Sequence, residues 1–213
     1  MKKILTACIL LFSFVSNAQV YSSKQPLAHT FSIVARDEKT GEMAVGVQSH
    51  WFSVGTLVPW AEAGVGAVAT QSFVDKSYGL KALALLKKGF TPQQALDSLT
   101  KADPGREVRQ VAIIDSKGNV AAHTGKKCIQ VAKQIKGYNF SVQSNMMLGD
   151  QVCEYMSNSF KQTTGKPLAE RVLLALEAAQ KAGGDIRGIR LQQLLWFQEK
   201  RWNHGTTGPL TFG

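Results

Sequence analysis

The sequence predicts an α+β domain built from antiparallel sheets. Short segments with alternating apolar residues and turn residues between them cluster at residues 30–71 and again at 108–143. Segments with helical spacing of apolar residues follow each cluster, in pairs. A short turn at residues 116–119 joins two of the strands directly. Clustered strands followed by paired helices are typical of layered α+β domains with antiparallel sheets.

The first predicted hairpin begins at Thr30. A strand runs from Thr30 to Arg36, residues 37–41 have the composition of a turn, and a second strand runs from Met43 to Ser49. If the hairpin pairs in register, Ser49 lies beside Thr30. The first strand alternates between two faces, with Phe31, Ile33 and Ala35 on one and Thr30, Ser32 and Val34 on the other.

A third strand and two helices follow. Residues 57–60 form a short extended piece, and residues 64–71 form a strand that ends in Thr70 and Gln71. The first helix covers residues 78–88, with leucines at 80, 83 and 86, and stops at Gly89. The second helix begins at the N-cap Thr91, with Pro92 in its first turn and Gln94 at the capping-box position.

The second half repeats this order. Strands are predicted at residues 108–115, 120–124 and 140–143, and the first two are joined by the turn at 116–119. Two further helices are predicted at residues 150–163 and 167–182, and the last one stops at a pair of glycines.

The first residues have the features of a secretory signal peptide. Two lysines precede an apolar run from Ile4 to Val15, and a small-residue cleavage site ends at Ala18. The apolar run is too short to span a bilayer as a helix. We therefore expect residues 1–18 to be removed, a periplasmic or secreted location, and no membrane association after cleavage. Residues 19–29 then form an unstructured leader or pro-segment.

Charge and cysteine content limit the partners. The formal net charge is +10, but the basic residues are scattered, so nucleic acid is not an expected partner. Cys128 and Cys153 can pair in an oxidising compartment or remain free, and their spacing does not decide between these. The sequence has neither a Cys-x-x-Cys nor a His-x-x-x-His pattern, so we expect neither a dedicated metal site nor a cofactor.

Polar residues at the strand ends are the candidates for chemistry. A threonine at the start of a strand can act as a nucleophile once it is N-terminal, because its own α-amino group, with a pKa of about 7.7–8.0, then serves as the base. Ser32 lies on the same face as Thr30, and Ser49 ends the neighbouring strand. Thr70 and Gln71 are candidates for substrate binding, although each is also explained as a solvated strand end.

Three further positions have both a functional and a structural interpretation. Arg106, in a turn with Asp103, either binds a substrate carboxylate or forms part of a cap. His123, at a strand end, is either a substrate-binding or a structural residue. Gln143 and Asn145 offer amide donors that suit an oxyanion hole, but an Asx-turn explains Asn145 equally well.

Several separate motifs resemble one family. They are Thr30–Asp37, the run Trp60–Gln71, Asp103–Gln110, Ala122–Gly125, and Ser141–Met146. In this order they are similar to the bacterial proteins grouped as domain of unknown function 1028, which are assigned to the N-terminal-nucleophile (Ntn) hydrolase superfamily. The resemblance covers residues 29–188.

The resemblance implies a four-layer αββα sandwich over residues 30–188, with Thr30 in the place of the nucleophile. Amide-bond hydrolysis of a small amide-containing substrate is the implied chemistry, and assembly of identical chains is possible. Ser32 and Ser49 would polarise the freed amine, and Asn145 or a backbone amide would hold the oxyanion. Because residues 19–29 precede Thr30, activity requires a cut between His29 and Thr30. The alternative is a non-catalytic binding module on the same fold.

Residues 189–213 depart from the ending of the resembled family, which continues as a strand of small and β-branched residues. One interpretation is a frameshift, because residues 190–213, read two nucleotides out of phase with permissive codons, encode a peptide like the expected ending. The domain would then lose a core strand. The other interpretation is a divergent amphipathic helix that contains Leu191, Leu194 and Leu195.

Overall fold

A computed structural model gives the architecture for residues 27–28, 30–50, 54–187 and 191–197. Two antiparallel sheets lie face to face, and each is covered by a pair of helices on its outer side. The arrangement is the four-layer αββα sandwich that the resemblance implied. No helix within the described residues is long and apolar enough to cross a membrane.

The first sheet is built around two central antiparallel strands, β5 and β6. Strand β5 covers Gly66–Phe73 and β6 covers Arg109–Asp115, and β7, at Val120–Thr124, pairs with the outer side of β6. Two short strands pair with different halves of β5: β4 at Pro59–Glu62 and β1 at Leu27–Ala28. Residues 27–28 are therefore paired rather than unstructured, which corrects the expectation for this part of the leader.

The second sheet has the order β10-β3-β2-β9-β8. Its strands are β2 at Thr30–Arg36, β3 at Met43–Ser49, β8 at Lys133–Gly137, β9 at Phe140–Ser144 and β10 at Leu191–Phe197. The sequence did not predict β8, because a strand of two lysines, one glutamine, one isoleucine and a glycine has no apolar alternation.

Four helices form the outer layers. The pair α1 at Ser77–Lys87 and α2 at Pro92–Ala102 covers the first sheet, and α3 at Val152–Gln162 and α4 at Leu168–Lys181 cover the second. A single 3-10 turn, Arg106–Val108, links α2 to β6. The predicted capping box is present, because Thr91 accepts from the Gln94 amide and Gln94 accepts from the Thr91 amide.

One predicted helix face is only partly correct. Leu83 and Leu86 of α1 are buried, but Leu80 is 62% exposed. The buried face is completed by Tyr78 and Ala82, which follow the helical repeat more closely than the three leucines do.

Three apolar clusters fill the spaces between the layers. One lies between α1, α2 and the first sheet, one between α3, α4 and the second sheet, and one between the two sheets. The packing under α4 is close, since a Cβ at Gly46 would lie 2.4 Å from Cγ1 of Val172. Both faces of β2 and β3 are therefore buried, and the intersheet face carries the site described below.

The tail forms an edge strand, so the amphipathic-helix interpretation is wrong. Strand β10 pairs antiparallel with the whole of β3, from Leu191 opposite Ser49 to Phe197 opposite Met43. Leu194 is 6% exposed and joins the cluster under α4. The expected loss of a strand does not occur at this position, because these residues satisfy the open edge of β3.

Candidate functional site

Thr30 lies at the end of the layer between the two sheets. Val34 and Val45 belong to the intersheet cluster, and side chains alternate along each strand, so Thr30 and Ser32 of β2 and Ser49 of β3 share this face. Thr30 pairs directly with Ser49, in the register that the sequence predicted. All three side chains are buried, with Thr30 and Ser32 0% exposed.

The carbonyl group of Thr30 accepts hydrogen bonds from two residues. The Asn145 amide donates at 3.0 Å, and the Asn145 side-chain Nδ2 donates at 3.4 Å. Gln71 Nε2, which reaches across from the first sheet, donates at 3.1 Å. Both sheets therefore fix the backbone at Thr30, and the predicted residues Gln71 and Asn145 lie at the predicted nucleophile.

Gln110 organises these donors, and the sequence analysis did not single it out as a site residue. Its Oε1 accepts from Gln71 Nε2 at 2.7 Å and from Asn145 Nδ2 at 3.0 Å. Its Nε2 donates to Thr124 Oγ1 at 2.9 Å and to the Ser144 carbonyl at 2.9 Å. A sequence pattern could have identified it. Gln110 lies two residues before Ala112, so strand alternation places its side chain on the same intersheet face as Ala112.

Several polar atoms around Thr30 are buried and have no hydrogen-bond partner among the described residues. They are Thr30 Oγ1, Ser32 Oγ, Gln71 Oε1, Gln143 Oε1 and Asn145 Oδ1. Gln143 faces Ser32 across the β2–β9 pair, and its Nε2 donates to the Ala69 carbonyl at 3.1 Å. Unpartnered buried polar groups cost about 1–3 kcal/mol each, and their concentration at one place marks a candidate functional site.

Three predicted residues lie on the other side of the first sheet. Val68 and Ala121 pack under α1 and α2, and alternation places Thr70 and His123 on the same side. His123 Nε2 lies 2.8 Å from the carbonyl oxygen of Arg106, whose side chain is half exposed. The structure therefore does not bring Thr70, Arg106 or His123 to Thr30.

The chain immediately before Thr30 belongs to the opposite sheet. Ala28 pairs with Ser72 of β5, whereas Thr30 pairs with Ser49 of β3. The leader thus crosses from one sheet to the other directly before the candidate nucleophile, and Thr30 is fully buried with this segment in place.

The two cysteines among the described residues are free thiols, Cys128 in the loop after β7 and Cys153 in α3. Cys128 Sγ donates to the Arg109 carbonyl at 3.3 Å, and Cys153 Sγ lies 3.2 Å from Ser144 Oγ. Burial raises the pKa of both thiols, that of Cys153 to about 11. The structure answers the open question about a disulfide, because neither cysteine is paired.

A separate surface cavity of about 810 Å³ lies at the opposite end of β2. Arg36, Tyr138 and Arg171 are among its lining residues, and Thr30 is not. This cavity and the cluster of unpartnered polar atoms are therefore distinct.

Comparison with known proteins identifies one family. The model of a family of unknown function, DUF1028, matches residues 30–204. None of the curated proteins compared with the chain is similar to it.

The solved structures that match this chain include a member of the same family and a more remote chain. A DUF1028 protein from Silicibacter pomeroyi is 29% identical, covers 79% of this chain and 73% of its own length, and superposes with a TM-score of 0.74. Anbu, the ancestral beta-subunit from Yersinia bercovieri, is 11% identical and covers 79% of this chain and 80% of its own, with a TM-score of only 0.40.

Proposed function

The chain belongs to the DUF1028 family, a family of unknown function, and we propose that it is the precursor of a secreted amide hydrolase of the Ntn type. In this proposal Thr30 is the nucleophile after a cut between His29 and Thr30. The substrate is a small amide.

One observation carries the proposal. Thr30 is the first residue of β2, and its Oγ1 is buried on the intersheet face without a hydrogen-bond partner among the described residues. Next to it are two further hydroxyl groups, Ser32 and Ser49, and a carbonyl group fixed from both sheets. Such rigid support of one threonine is what a positioned nucleophile requires.

The chemistry depends on the α-amino group. While Thr30 is joined to His29, its nitrogen belongs to an amide and cannot accept a proton. Hydrolysis of that bond yields an amine with a pKa of about 7.7–8.0, close enough to neutral pH to take the hydroxyl proton. Ser32 and Ser49 then polarise the amine. Both donors of Asn145 already bind the Thr30 carbonyl, so a backbone amide of another residue stabilises the oxyanion.

N-terminal sequencing of protein from its native host tests the processing step. The enzyme proposal expects a mature chain that begins at Thr30. A mature chain that begins at Gln19 would contradict the direct N-terminal-threonine mechanism.

Turnover of a panel of small amides and acylated amino acids tests the nucleophile. We expect Thr30→Ala to lower kcat/KM by at least about 10³-fold, as loss of a nucleophile does in hydrolases. Thr30→Ser keeps a hydroxyl and serves as the control, with turnover retained. Unchanged amide turnover in Thr30→Ala would contradict the assignment.

A binding module on the same fold is the second candidate. It is favoured by the pairing of residues 27–28 with β5 and by the complete burial of Thr30 in the chain as it stands. This candidate expects the leader to remain attached in the host and the Thr30→Ala variant to keep its ligand affinity.

Export is a part of the proposal that rests on the sequence of residues 1–18. Fractionation of host cells expressing the full chain tests it, and we expect the protein outside the cytoplasm without those residues. Replacing two apolar residues of the Ile4–Val15 run with aspartates should keep it inside, uncleaved. If the wild-type chain and the aspartate variant were found in the same proportions inside and outside the cytoplasm, that result would contradict export.

A further inference from the structure

Three side-chain carbonyl oxygens near Thr30 lack a donor among the described residues: Gln71 Oε1, Gln143 Oε1 and Asn145 Oδ1. All three residues are 0% exposed. A buried amide oxygen without a donor is costly, and it is satisfied when a bound molecule brings N–H groups. These oxygens therefore define the chemistry that the site recognises.

The hydrogen bonds donated by the side-chain nitrogen fix the orientation of each of these three amide groups. Gln71 Nε2 and Asn145 Nδ2 each face the Thr30 carbonyl and Gln110 Oε1, and Gln143 Nε2 faces the Ala69 carbonyl. Rotating any of them by 180° would place oxygen against oxygen. The unpartnered atoms are hence acceptors, and each amide nitrogen already donates to at least one carbonyl oxygen.

Apart from the α-amine of processed Thr30, which acts as the base in its neutral form, the residues around these oxygens carry no formal charge. Besides the three amides they are Thr30, Ser32, Ser49 and Gln110. Burying a carboxylate among acceptors without a cation is unfavourable, whereas a neutral amide loses little. Arg106, the cation that the sequence suggested for a substrate carboxylate, is bonded through its carbonyl to His123 on the far side of the first sheet.

We infer that the Thr30 site takes an acyl group that carries neutral N–H donors, such as a primary carboxamide, in preference to a carboxylate. This inference rests on the proposed function. It deepens that function, because it names the substrate class. The leader must first leave, since Ala28 pairs with Ser72 directly beside Gln71.

Two matched β-lactones test the inference without knowledge of the natural substrate. Their side chains are identical except for a terminal carboxamide in one and a carboxylate in the other. Thr30 Oγ attacks the lactone carbonyl and the ring C–O bond breaks. The hydroxyl proton passes through the α-amine to the leaving ring oxygen. The adduct keeps the whole mass of the lactone. It is measured by mass spectrometry on the processed protein, which begins at Thr30.

We expect the carboxamide to acylate Thr30 at least about 10-fold faster than the carboxylate, because sites built from hydrogen-bonding groups discriminate strongly. The full chain has a formal net charge of +10, and only three of its basic residues precede Thr30, so the processed protein stays basic. Bulk electrostatics would therefore favour the anionic probe, and the expected preference runs against it. Equal rates, or a faster carboxylate, would overturn the inference and leave the nucleophile in place. Acylation of neither probe at Thr30 would overturn the proposed function and the inference with it.

A pair of glutamine variants locates the preference. Gln143→Met removes an unpartnered oxygen and should lower the ratio of the two rates to within about 3-fold of unity. Gln134→Met is the matched control, because Gln134 lies opposite Gln143 and its amide is already paired with Thr124 and Ala122. It should keep the wild-type ratio. The same loss in both variants would contradict the role of the Gln143 oxygen.

Discussion

Arg109 is the most deeply buried basic residue in the ion pairs of the described residues. Its side chain is 2% exposed, and its Nε donates to Asp103 Oδ2 at 2.8 Å while Nη1 donates to the Phe73 carbonyl at 2.7 Å. Tyr78 donates to the same carboxylate at 3.0 Å. Burial and the neighbouring carboxylate raise the pKa of Tyr78, which therefore stays protonated as a donor. This network joins α1, the end of α2 and β6.

Breaking this pair should be expensive. Asp103→Asn leaves the Arg109 charge buried without its counter-ion, so we expect the free energy of unfolding to fall by about 3–5 kcal/mol in urea titrations. Glu170→Gln breaks the exposed pair with Lys166 and serves as the control, with a change below about 0.5 kcal/mol. Similar losses in the two variants would contradict the importance of burial.

At the scale of an element, the start of α2 follows from local sequence. Thr91 and Gln94 bond to each other's backbone amides, and Pro92 occupies the first turn, where an amide is not needed. No distant residue takes part in these bonds, which is why the sequence sufficed to predict this end.

Removal of the cap should destabilise the protein measurably. We expect Thr91→Ala to lower the free energy of unfolding by about 1 kcal/mol, because the Gln94 amide loses its acceptor. Thr91→Ser keeps the hydroxyl and should stay within about 0.5 kcal/mol of wild type. Thermal or urea unfolding measures both, and a neutral Thr91→Ala would contradict the contribution of the cap.

Strand β10 is the element that sequence patterns misjudged. Leu191, Leu194 and Leu195 have helical spacing, yet the backbone of this segment pairs with β3. Hydrogen bonding to β3 and burial of Leu194 outweighed the helical spacing of the leucines. Tertiary contacts routinely override local propensity in this way. Resequencing the gene over codons 190–213 still tests the frameshift hypothesis.

Leu194 anchors β10 to the core. We expect Leu194→Ala to lower the free energy of unfolding by about 2–5 kcal/mol, because a side chain that is 6% exposed is removed from the cluster under α4. Leu194→Met conserves volume and should cost less than about 1.5 kcal/mol. If the free energy of unfolding of Leu194→Ala in urea equals that of wild type, the packing of Leu194 under α4 is contradicted.

At the scale of the whole molecule, three aspartates make folding sensitive to acid. Burial alone would raise the pKa values of Asp37, Asp103 and Asp185, but hydrogen bonds and nearby arginines outweigh it and hold all three pKa values below the ordinary 3.8. The partners are Arg171, Arg109 and Arg187 respectively.

The direction of the pH effect follows from these lowered pKa values. The stabilisation is fully present above the unfolded-state pKa of about 3.9, and it is lost as pH falls through the lower folded-state values. We expect the urea midpoint to be constant from pH 6 to pH 5 and to fall steeply below pH 4. Asp103→Asn should show a smaller loss over that interval. A midpoint that does not change down to pH 2 would contradict the prediction.

The sequence predicted most strands and helices because their patterns are local. Alternation defined β2, β3, β6 and β7, and helical spacing with glycine stops defined α1 and α4, within a few residues. It missed β1, whose partner β5 lies far along the chain, and β8, which pairs with the adjacent β9 but has no apolar alternation. For the site, Ser49 was placed beside Thr30 correctly, because hairpin register is also local.

By itself, therefore, the sequence determined the α+β class, the first hairpin and the polar strand ends from which candidate residues were drawn. Only the tertiary structure decided which of those residues meet. It joined Gln71 and Gln110 of one sheet to Thr30 and Asn145 of the other, and it placed Thr70 and His123 on the opposite face. The physical reason is that a side chain's face follows from its own strand, whereas its partners across the layer follow from how two sheets pack.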